Sequence, residues 1–297
     1  MKKLLITGGS GFVGRSLLPL LQRKYDVCLL SSQDELSIDG FSGEILSCDI
    51  FDTVRLEGIL SSVKPEKLIH LAWGMEAGNY NLQSNYSWLL ASMRLLELFQ
   101  ENGGKSVMMV GSCTQYDWTL GGCDETRTPR AYGTMYGNCK NILEDFALSF
   151  CASHDLQCIC TRPFFMYGPR EAEYRFVAHL INSLLKDREA IVENGSLYRD
   201  YLHVEDVAGL MVSLLNTNSS GVFNVGAGEM YNLGSMAVMI GELLNKPDLV
   251  TIRIPDNISN RYLFAKMDNV RSVTNWLPEH DLESGLLNTI EWWERNV

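Results

Sequence analysis

A run of glycines directly after the first apolar segment constrains the fold of this chain more than any other feature. Residues 3–6 form a short, mostly apolar strand segment, and Gly8, Gly11 and Gly14 follow at intervals of three. Residues 12–21 then carry the apolar period of a helix. The apolar run 27–30 then completes a strand–helix–strand unit. Glycines at such a turn let the backbone approach a pyrophosphate, and the helix N-terminus offers free N–H groups. The pattern predicts a dinucleotide-binding loop, with a plain turn as the alternative.

Strand and helix patterns alternate along the rest of the first half. Apolar runs at 44–46, 67–71, 106–110 and 157–161 alternate with helical periods at 52–63, 88–102 and 136–154. Such alternation predicts an α/β fold with a Rossmann-type, doubly wound parallel sheet. Prolines, glycines and a charged run at 170–175 then break the pattern. We predict a dinucleotide-binding domain over 1–162 and a smaller substrate-binding lobe over 163–297, with a strand and a helix returning to the sheet from about 200–225.

Composition excludes several classes of function. The formal net charge of −11 argues against nonspecific nucleic-acid binding, which requires a basic face. There is no apolar run long enough to cross a bilayer and no secretory signal pattern, so we expect a cytoplasmic protein without a membrane partner. The eight cysteines include no C-x-x-C pair, which favours buried thiols over disulfides and predicts no metal site.

The end of the second strand bears on the choice of cofactor. NAD enzymes commonly carry an acidic residue there for the ribose hydroxyls, whereas this chain has Ser31 and Ser32. Arg15 follows the last loop glycine and is available to pair with a 2′-phosphate, or is simply an exposed helix residue. This favours NADP(H), with NAD(H) possible because Asp34 lies close by. Asp49 is a candidate partner for the adenine amino group, with a helix N-cap as the alternative.

Tyr136 and Lys140 stand four residues apart in a predicted helix. That spacing stacks both side chains on one face, and a nearby ammonium favours the ionised form of a phenol. The pair is a candidate proton-transfer device, because a free tyrosine has a pKa of about 10. An ordinary exposed helix pair is the alternative interpretation.

Taken together, these ordered motifs resemble those of the extended short-chain dehydrogenases/reductases, in the branch of nucleotide-sugar epimerases, dehydratases and reductases. The resemblance covers essentially the whole chain. The matching segments are TGGSGFVG from Thr7, Cys48-Asp49, His70-Leu71-Ala72, Asn85, Gly111-Ser112, the Tyr136/Lys140 pair, Arg162-Pro163, Tyr167-Gly168-Pro169 and RDYLHVED from Arg199.

The resemblance implies roles for individual residues. Ser112, or Thr114 as a near alternative, would hold the substrate oxygen, and Tyr136 would be the acid or base. Lys140 would bind the nicotinamide ribose and lower the pKa of Tyr136. The implied cofactor contacts are Gly8, Gly11, Phe12, Val13, Gly14, Arg15, Ser31, Ser32, Asp49, Ile50, Leu71, Ala72, Trp73, Tyr136, Lys140 and Pro163. The implied ligands of a nucleoside diphosphate sugar are Asn85, Arg175, Arg199 and Arg261, whereas His203 and Asp206 are expected to be structural.

The residues after Ser112 narrow the reaction. Dehydratases of this branch resemble one another in an Asp-Glu pair there, where this chain has Cys113 and Thr114. No acid is then placed to protonate a leaving hydroxyl. The Cys and His pair of the relatives that both epimerise and reduce is replaced by Thr114 and Arg175. We therefore expect an NAD(P)H-dependent C4-ketoreductase of a nucleoside diphosphate 4-keto-6-deoxyhexose.

Other functions stay open at this point. An NAD-dependent 4-epimerase or 4-dehydrogenase is the close alternative, and a non-catalytic NADP-binding sensor is the alternative from another class. Apolar stripes at 88–99 and 142–150 predict core packing or a four-helix seam between the subunits of a homodimer.

Overall fold

The computed structural model describes residues 1–74, 79–257 and 259–296. The strands are β1 (Lys2–Thr7), β2 (Tyr25–Ser31), β3 (Glu44–Ser47), β4 (Lys67–His70), β5 (Ser106–Val110), β6 (Gly122–Cys123), β7 (Gln157–Pro163), β8 (Phe165–Tyr167), β9 (Ala190–Val192), β10 (Tyr198–Arg199), β11 (Tyr201–His203), β12 (Gly221–Val225), β13 (Tyr231–Asn232), β14 (Val250–Ile252) and β15 (Tyr262–Ala265). The helices are α1 (Phe12–Leu21), α2 (Thr53–Val63), α3 (Ser84–Glu101), α4 (Met135–Ser153), α5 (Phe176–Leu185), α6 (Val204–Leu215), α7 (Leu233–Leu243), α8 (Asp268–Val273) and α9 (Leu282–Asn296).

Seven parallel strands form the main sheet, in the order β3, β2, β1, β4, β5, β7, β12. In its centre Ile6 of β1 lies opposite Leu29 of β2 and Ile69 of β4. The strands are apolar on both sides because helices cover both faces of the sheet. The predicted doubly wound α/β fold is confirmed.

Two apolar cores lie on opposite faces of this sheet. Leu4 packs with Leu17 of α1 and Leu214 of α6 in one core. Leu5, which points the other way along the strand, belongs to the second core with residues of α2, α3 and α4 such as Leu143. Helix α4, which starts with the Tyr136 turn, is therefore packed directly on the sheet.

A smaller set of elements surrounds a third apolar core. Helices α5, α7 and α9 contribute Ile181, Ile240 and Leu286 to it. Strands β13, β10, β15 and β6 form a second sheet, and the pairs β8–β11 and β9–β14 lie beside it. Because β6 follows β5 and β8 follows β7, these elements leave the main sheet at its carboxyl edge, where ligands of open α/β sheets bind. Within the described ranges, no helix is both long and apolar enough to cross a membrane.

Candidate active site

The glycine loop joins β1 to α1 in a conformation that demands glycine. Gly8 has a φ of +71°, and a Cβ there would lie 2.7 Å from the backbone nitrogen of Ala72. At Gly14 a Cβ would lie 2.4 Å from Cα of Gly9, so the helix could not pack on the loop. Gly11 is the N-cap of α1 and provides no side-chain cap. The first turn of α1 therefore keeps its N–H groups available to an anion, which fits the pyrophosphate of a dinucleotide.

The residues predicted to bind the adenosine ribose are the serines at the end of β2 and Arg15 at the glycine loop. This strand ends at Ser31, and the guanidinium of Arg15 is held at the loop by a 2.9 Å hydrogen bond from its Nε to the carbonyl oxygen of Ser10. The nearest acid along the chain, Asp34, accepts a hydrogen bond from the Ser47 hydroxyl. These are the groups that would meet the adenosine ribose.

Asp49 lies just beyond β3 and is exposed. Its Oδ1 accepts the backbone N–H of Phe51 at 3.0 Å. The N-cap of α2 is Asp52, whose Oδ1 accepts the N–H of Arg55 at 3.1 Å. Asp49 is thus not the helix cap, and it remains a candidate for binding adenine.

Three hydroxyl groups meet where β5 ends and α4 begins. Ser112 caps a short 3-10 turn, and its Oγ accepts hydrogen bonds from the N–H of Thr114 at 3.2 Å and from Thr114 Oγ1 at 3.0 Å. Tyr136 in the first turn of α4 lies close enough to Ser112 for that hydroxyl to act against the burial that raises the pKa of the phenol. The start of α4 is fixed by Thr134, whose Oγ1 accepts the N–H of Gly137 at 3.1 Å. Ser112 and Thr114 are thus hydrogen-bonded to each other, and the phenol of Tyr136 completes a cluster of three hydroxyl groups.

Lys140 lies one turn after Tyr136 but points elsewhere. Its Nζ donates to the carbonyl oxygen of Val110 at 2.7 Å and lies 3.9 Å from the ring centroid of Trp73, against 5.9 Å from the ring of Tyr136. Burial lowers the pKa of Lys140 to about 7. Burial also raises the pKa of Tyr136 well above its ordinary value. Lys140 is thus held by Val110 and Trp73, and burial is the main influence on the Tyr136 pKa. The lowering of that pKa by Lys140 stays a prediction.

Trp73 connects the end of β4 to this cluster. Its ring makes an edge contact with Tyr136 at 6.1 Å and stacks on Trp88 at 6.2 Å, and its Nε1 donates to Asn85 Oδ1 at 2.8 Å. Asn85 is fully buried, and its Nδ2 donates to the carbonyl oxygen of Leu82. The prediction of Asn85 as a substrate ligand is not supported, because its side chain is inaccessible and instead positions Trp73.

A buried ion network behind the hydroxyl cluster was not predicted from the sequence. Glu144 of α4 accepts hydrogen bonds from Nε of Arg162 at 2.9 Å and from Nη2 of Arg130 at 2.7 Å. Glu144 also accepts a hydrogen bond from Nε2 of Gln115 at 3.1 Å. Oε1 of Gln115 in turn accepts a hydrogen bond from the backbone N–H of Ser112 at 2.9 Å. The network therefore anchors the Ser112 turn to α4. In the sequence, Tyr136, Lys140 and Glu144 follow each other at intervals of four, which indicates that Glu144 shares a helix face with the other two.

Two of the predicted phosphate ligands lie together in the smaller sheet. Nη1 of Arg199 donates to the carbonyl oxygens of Tyr198 at 2.8 Å and Arg261 at 3.1 Å. Burial lowers the pKa of the Arg199 guanidinium. Arg261 is exposed, with its Nε 3.3 Å from the carbonyl oxygen of Ser196. This pair can present two cationic groups to one diphosphate.

The third predicted arginine, Arg175, lies nearer the hydroxyl cluster. Its guanidinium is close enough to act against the burial that raises the pKa of Tyr136. Tyr80 is close enough to Arg175 to raise the pKa of the guanidinium, and the ring of Tyr80 lies 5.7 Å from that of Tyr136. Arg175 and Tyr80 thus flank the phenol, whereas Arg199 and Arg261 lie in the smaller sheet.

Comparisons with known proteins show which sequences and folds are similar to this chain. The chain is 23% identical to the UDP-glucose 4-epimerase of Corynebacterium glutamicum over 94% of this chain and 91% of that protein. The fold is similar to that of the UDP-N-acetylglucosamine 4-epimerase of Methanobrevibacter ruminantium, with a TM-score of 0.89, 20% identity, and 100% and 99% of the two chains covered. It is also similar to that of the dTDP-glucose 4,6-dehydratase of Bacillus anthracis, with a TM-score of 0.83, 20% identity, and 100% and 97% covered.

The family model described as the NAD dependent epimerase/dehydratase family matches residues 4–282. The match includes the glycine loop, the hydroxyl cluster and the paired arginines. The resemblance to extended short-chain dehydrogenases/reductases is confirmed, and with it the expectation of an enzyme that uses a pyridine nucleotide. The chain belongs to the NAD dependent epimerase/dehydratase family.

Proposed function

We propose that this enzyme reduces the 4-keto group of a nucleoside diphosphate 4-keto-6-deoxyhexose. The observation that carries the proposal is the cluster of Ser112, Thr114 and Tyr136, in which every group is a hydroxyl. When bound, the nicotinamide supplies the hydride. The chain must then provide a proton and hydrogen bonds to the oxygen on which negative charge develops, which is what a phenol beside a serine can do.

The electrostatics of the cluster favour the direction of reduction. Burial raises the pKa of Tyr136 and so keeps its phenol protonated at neutral pH. A protonated phenol can donate to the developing alkoxide. Ser112 is held by Thr114 and by its turn, so that its hydroxyl can bind the same oxygen. Ser112 would orient the ketone and Tyr136 would protonate it.

The neighbours of Ser112 disfavour dehydration. Cys113 is buried, and the pKa of its thiol is raised to about 12, mainly by that burial. Thr114 is already bonded to Ser112 through its hydroxyl. Neither side chain is an acid able to protonate a leaving hydroxyl near neutral pH. Redox chemistry at the sugar carbon needs no such acid.

The arginines support an anionic substrate for this acidic protein. We propose that Arg199 and Arg261 bind the diphosphate, since Nη1 of Arg199 contacts only backbone carbonyls and the cation keeps other donors for phosphate. Arg175, beside Tyr80 and Tyr136, would bind the sugar. A nucleoside diphosphate sugar would then extend from the smaller sheet to the phenol.

The cofactor proposed is NADP(H), with NAD(H) as the alternative. The residues that fit it are the glycine loop, Arg15, Ser31 and Ser32. Arg15 supports NADP(H) because it is held at the loop and β2 ends without a carboxylate. NAD(H) is supported by the UDP-glucose 4-epimerase of Thermus thermophilus, which was crystallised with NAD.

We also propose a homodimer. Helices α3 and α4 pack against each other on one face of the main sheet. They expose Tyr86, Leu90 and Ile142, each about half accessible. Apolar side chains on two adjacent helices fit a four-helix seam with a second copy. Light scattering coupled to gel filtration measures the mass directly, and a monomer at micromolar concentration would contradict the seam.

A 4-epimerase is the second candidate, supported by the names of several similar proteins. The two activities differ in their demand for cofactor. A ketoreductase consumes NADPH in proportion to product, whereas an epimerase interconverts UDP-glucose and UDP-galactose without net consumption. A non-catalytic sensor would bind NADPH and do neither.

The test therefore uses purified protein with NADPH or NADH and 4-keto-6-deoxyhexoses linked to each nucleoside diphosphate. We expect NADPH oxidation that Tyr136→Phe reduces by about 10²–10⁴-fold without loss of cofactor binding. Tyr132→Phe is the matched control, since Tyr132 is exposed just before α4. Full turnover by Tyr136→Phe would disprove the assigned role, and epimerisation without NADPH loss would replace the reductase by the epimerase.

A further inference from the structure

A cluster of metal-ligating side chains lies outside the active site, where β11 meets α6. His203 ends β11 and is the N-cap of α6, Asp206 lies in the first turn of α6, and His280 lies just before α9. One ligand atom from each of the three side chains lies within 4.8 Å of the other two. The cluster thus joins segments more than seventy residues apart in sequence.

Direct contacts show how close these groups are. Nδ1 of His280 lies 3.1 Å from Oδ2 of Asp206, and its Nε2 lies 3.5 Å from Oε2 of Glu205. The rings of His203 and His280 are 4.2 Å apart between centroids. Asp206 and His203 are buried, whereas His280 is partly exposed and Glu205 is about half exposed. An ion from solvent can therefore reach the cluster along His280 and Glu205.

Asp206 has a structural role, but that role does not explain why the His203 ring is buried. Its carboxylate accepts the backbone N–H groups of Glu279 at 2.7 Å and His280 at 3.2 Å, which holds the segment before α9. His203, in contrast, is 1% exposed, and among the described residues neither of its ring nitrogens has a hydrogen-bond partner. Asn288 lies beside the ring, but its Oδ1 is also unpartnered. A buried imidazole with both nitrogens unsatisfied is costly unless another group binds it.

The surroundings of His203 suit a metal ligand. A neutral imidazole offers one ring nitrogen to a metal and keeps an N–H on the other. Asn288 lies beside the ring with its Oδ1 unpartnered, so it can accept that N–H, as partners of metal-bound histidines commonly do.

We propose that His203, Asp206 and His280 bind one zinc ion, with Glu205 or water as the fourth ligand. Two imidazoles and a carboxylate are a ligand set that zinc prefers. Ligands about 2.0–2.1 Å from zinc stand roughly 3.4 Å apart in a tetrahedron, so shifts of about 1 Å would close this cluster. The ion would fasten the segment before α9 to the start of α6. This departs from the expectation of no metal site, which rested on cysteine spacing.

Zinc affinity of the whole chain tests the proposal. After treatment with a chelator, the protein is titrated with Zn²⁺ in competition with a chromophoric chelator. We expect one tight site per chain, weakened by about tenfold to a hundredfold in His280→Gln. His280 is partly exposed, so this variant should fold, which circular dichroism checks. His154→Gln is the matched control, because His154 is an exposed histidine at the end of α4.

Cobalt distinguishes this site from the eight cysteines. Co²⁺ bound by nitrogen and oxygen gives visible ligand-field bands without the ultraviolet charge-transfer band of a cobalt–thiolate bond. We expect that spectrum in the wild type and its loss in His280→Gln, together with a zinc-dependent rise of Tm in the wild type alone. Equal zinc affinity of wild type and His280→Gln, or a thiolate band, would overturn the proposal. Neither outcome depends on the proposed reductase activity.

Discussion

Replacing Glu144 by Gln should destabilise this protein more than any similar change on its surface. Glu144 is 4% exposed and its carboxylate is shared by Arg162, which is 1% exposed, and Arg130. The neutral amide keeps the size of the side chain but removes the negative charge. Arg162 cannot lose its proton, so its cation would stay in the interior without the opposite charge of this carboxylate. The amide oxygen can still accept a hydrogen bond, and the ring of Tyr116 lies 4.4 Å from the guanidinium carbon, but neither group carries a full negative charge.

The size of the effect follows from that burial. Removing one partner of a buried ion pair costs about 3–5 kcal/mol, because the other charge remains desolvated. Unfolding entropy is about 2.1 cal/mol/K per residue, or roughly 0.6 kcal/mol/K for this chain of 297 residues. We therefore expect Tm to fall by about 5–8 °C. The Ser112 turn should also loosen, because Gln115 links its backbone to Glu144.

Calorimetry and urea unfolding of Glu144→Gln measure this loss. The matched control is Glu291→Gln, which removes an exposed carboxylate 3.0 Å from Arg295 on α9. Exposed pairs of this kind contribute about 0.3–0.5 kcal/mol, so the control should unfold close to the wild type. A loss below about 1 kcal/mol in Glu144→Gln would refute the reasoning, since Arg162 would then not depend on this carboxylate.

Two further predictions concern pH and use the same unfolding assay. Burial raises the pKa of Glu171 from 4.5 to about 8, so the folded protein holds a proton that the unfolded chain has lost and stability falls as pH rises between these values. Glu171→Gln should remove that slope. Above pH 8 its free energy of unfolding should exceed that of the wild type by on the order of 5 kcal/mol. An unchanged slope would contradict this prediction. Burial lowers the pKa of Lys140 from 10.5 to about 7, so its contribution to stability rises with pH across that window. Lys140→Met should abolish the rise, and an identical profile in wild type and variant would show that the amine is not desolvated.

Much of the main sheet was predictable because its strands and helices are long enough to show a period. Helix α1 was predicted within its observed bounds, and α4 within one residue at each end. Helix α3 begins at Ser84 instead of residue 88, because the first turn contains Ser84, Asn85 and Ser87 and shows no apolar stripe. Strands such as β10 and β13 have two residues each, which is too short for any alternation to be read.

The candidate site was predictable where it depends on local spacing. The glycine loop and the Tyr136/Lys140 pair each occupy a short stretch of sequence. Their residue types indicate dinucleotide binding and proton transfer. The position of Trp73 against Lys140 depends on how the end of β4 meets α4. The position of His203 against His280 depends on how the segment before α9 meets the start of α6. Such contacts join distant segments, so no pattern within a single segment reveals them.

One face of α4 joins the candidate active site to the contacts that stabilise the fold. Tyr136, Lys140 and Glu144 follow each other at intervals of four and are all buried. The first belongs to the hydroxyl cluster, the second binds Val110 at the end of β5, and the third holds Arg162 of β7. Because β5 and β7 are neighbours in the sheet, this face fixes α4 across the two strands that end at the site. The phenol is therefore positioned by the same contacts that stabilise the fold, and Glu144→Gln should reduce turnover even where the protein remains folded.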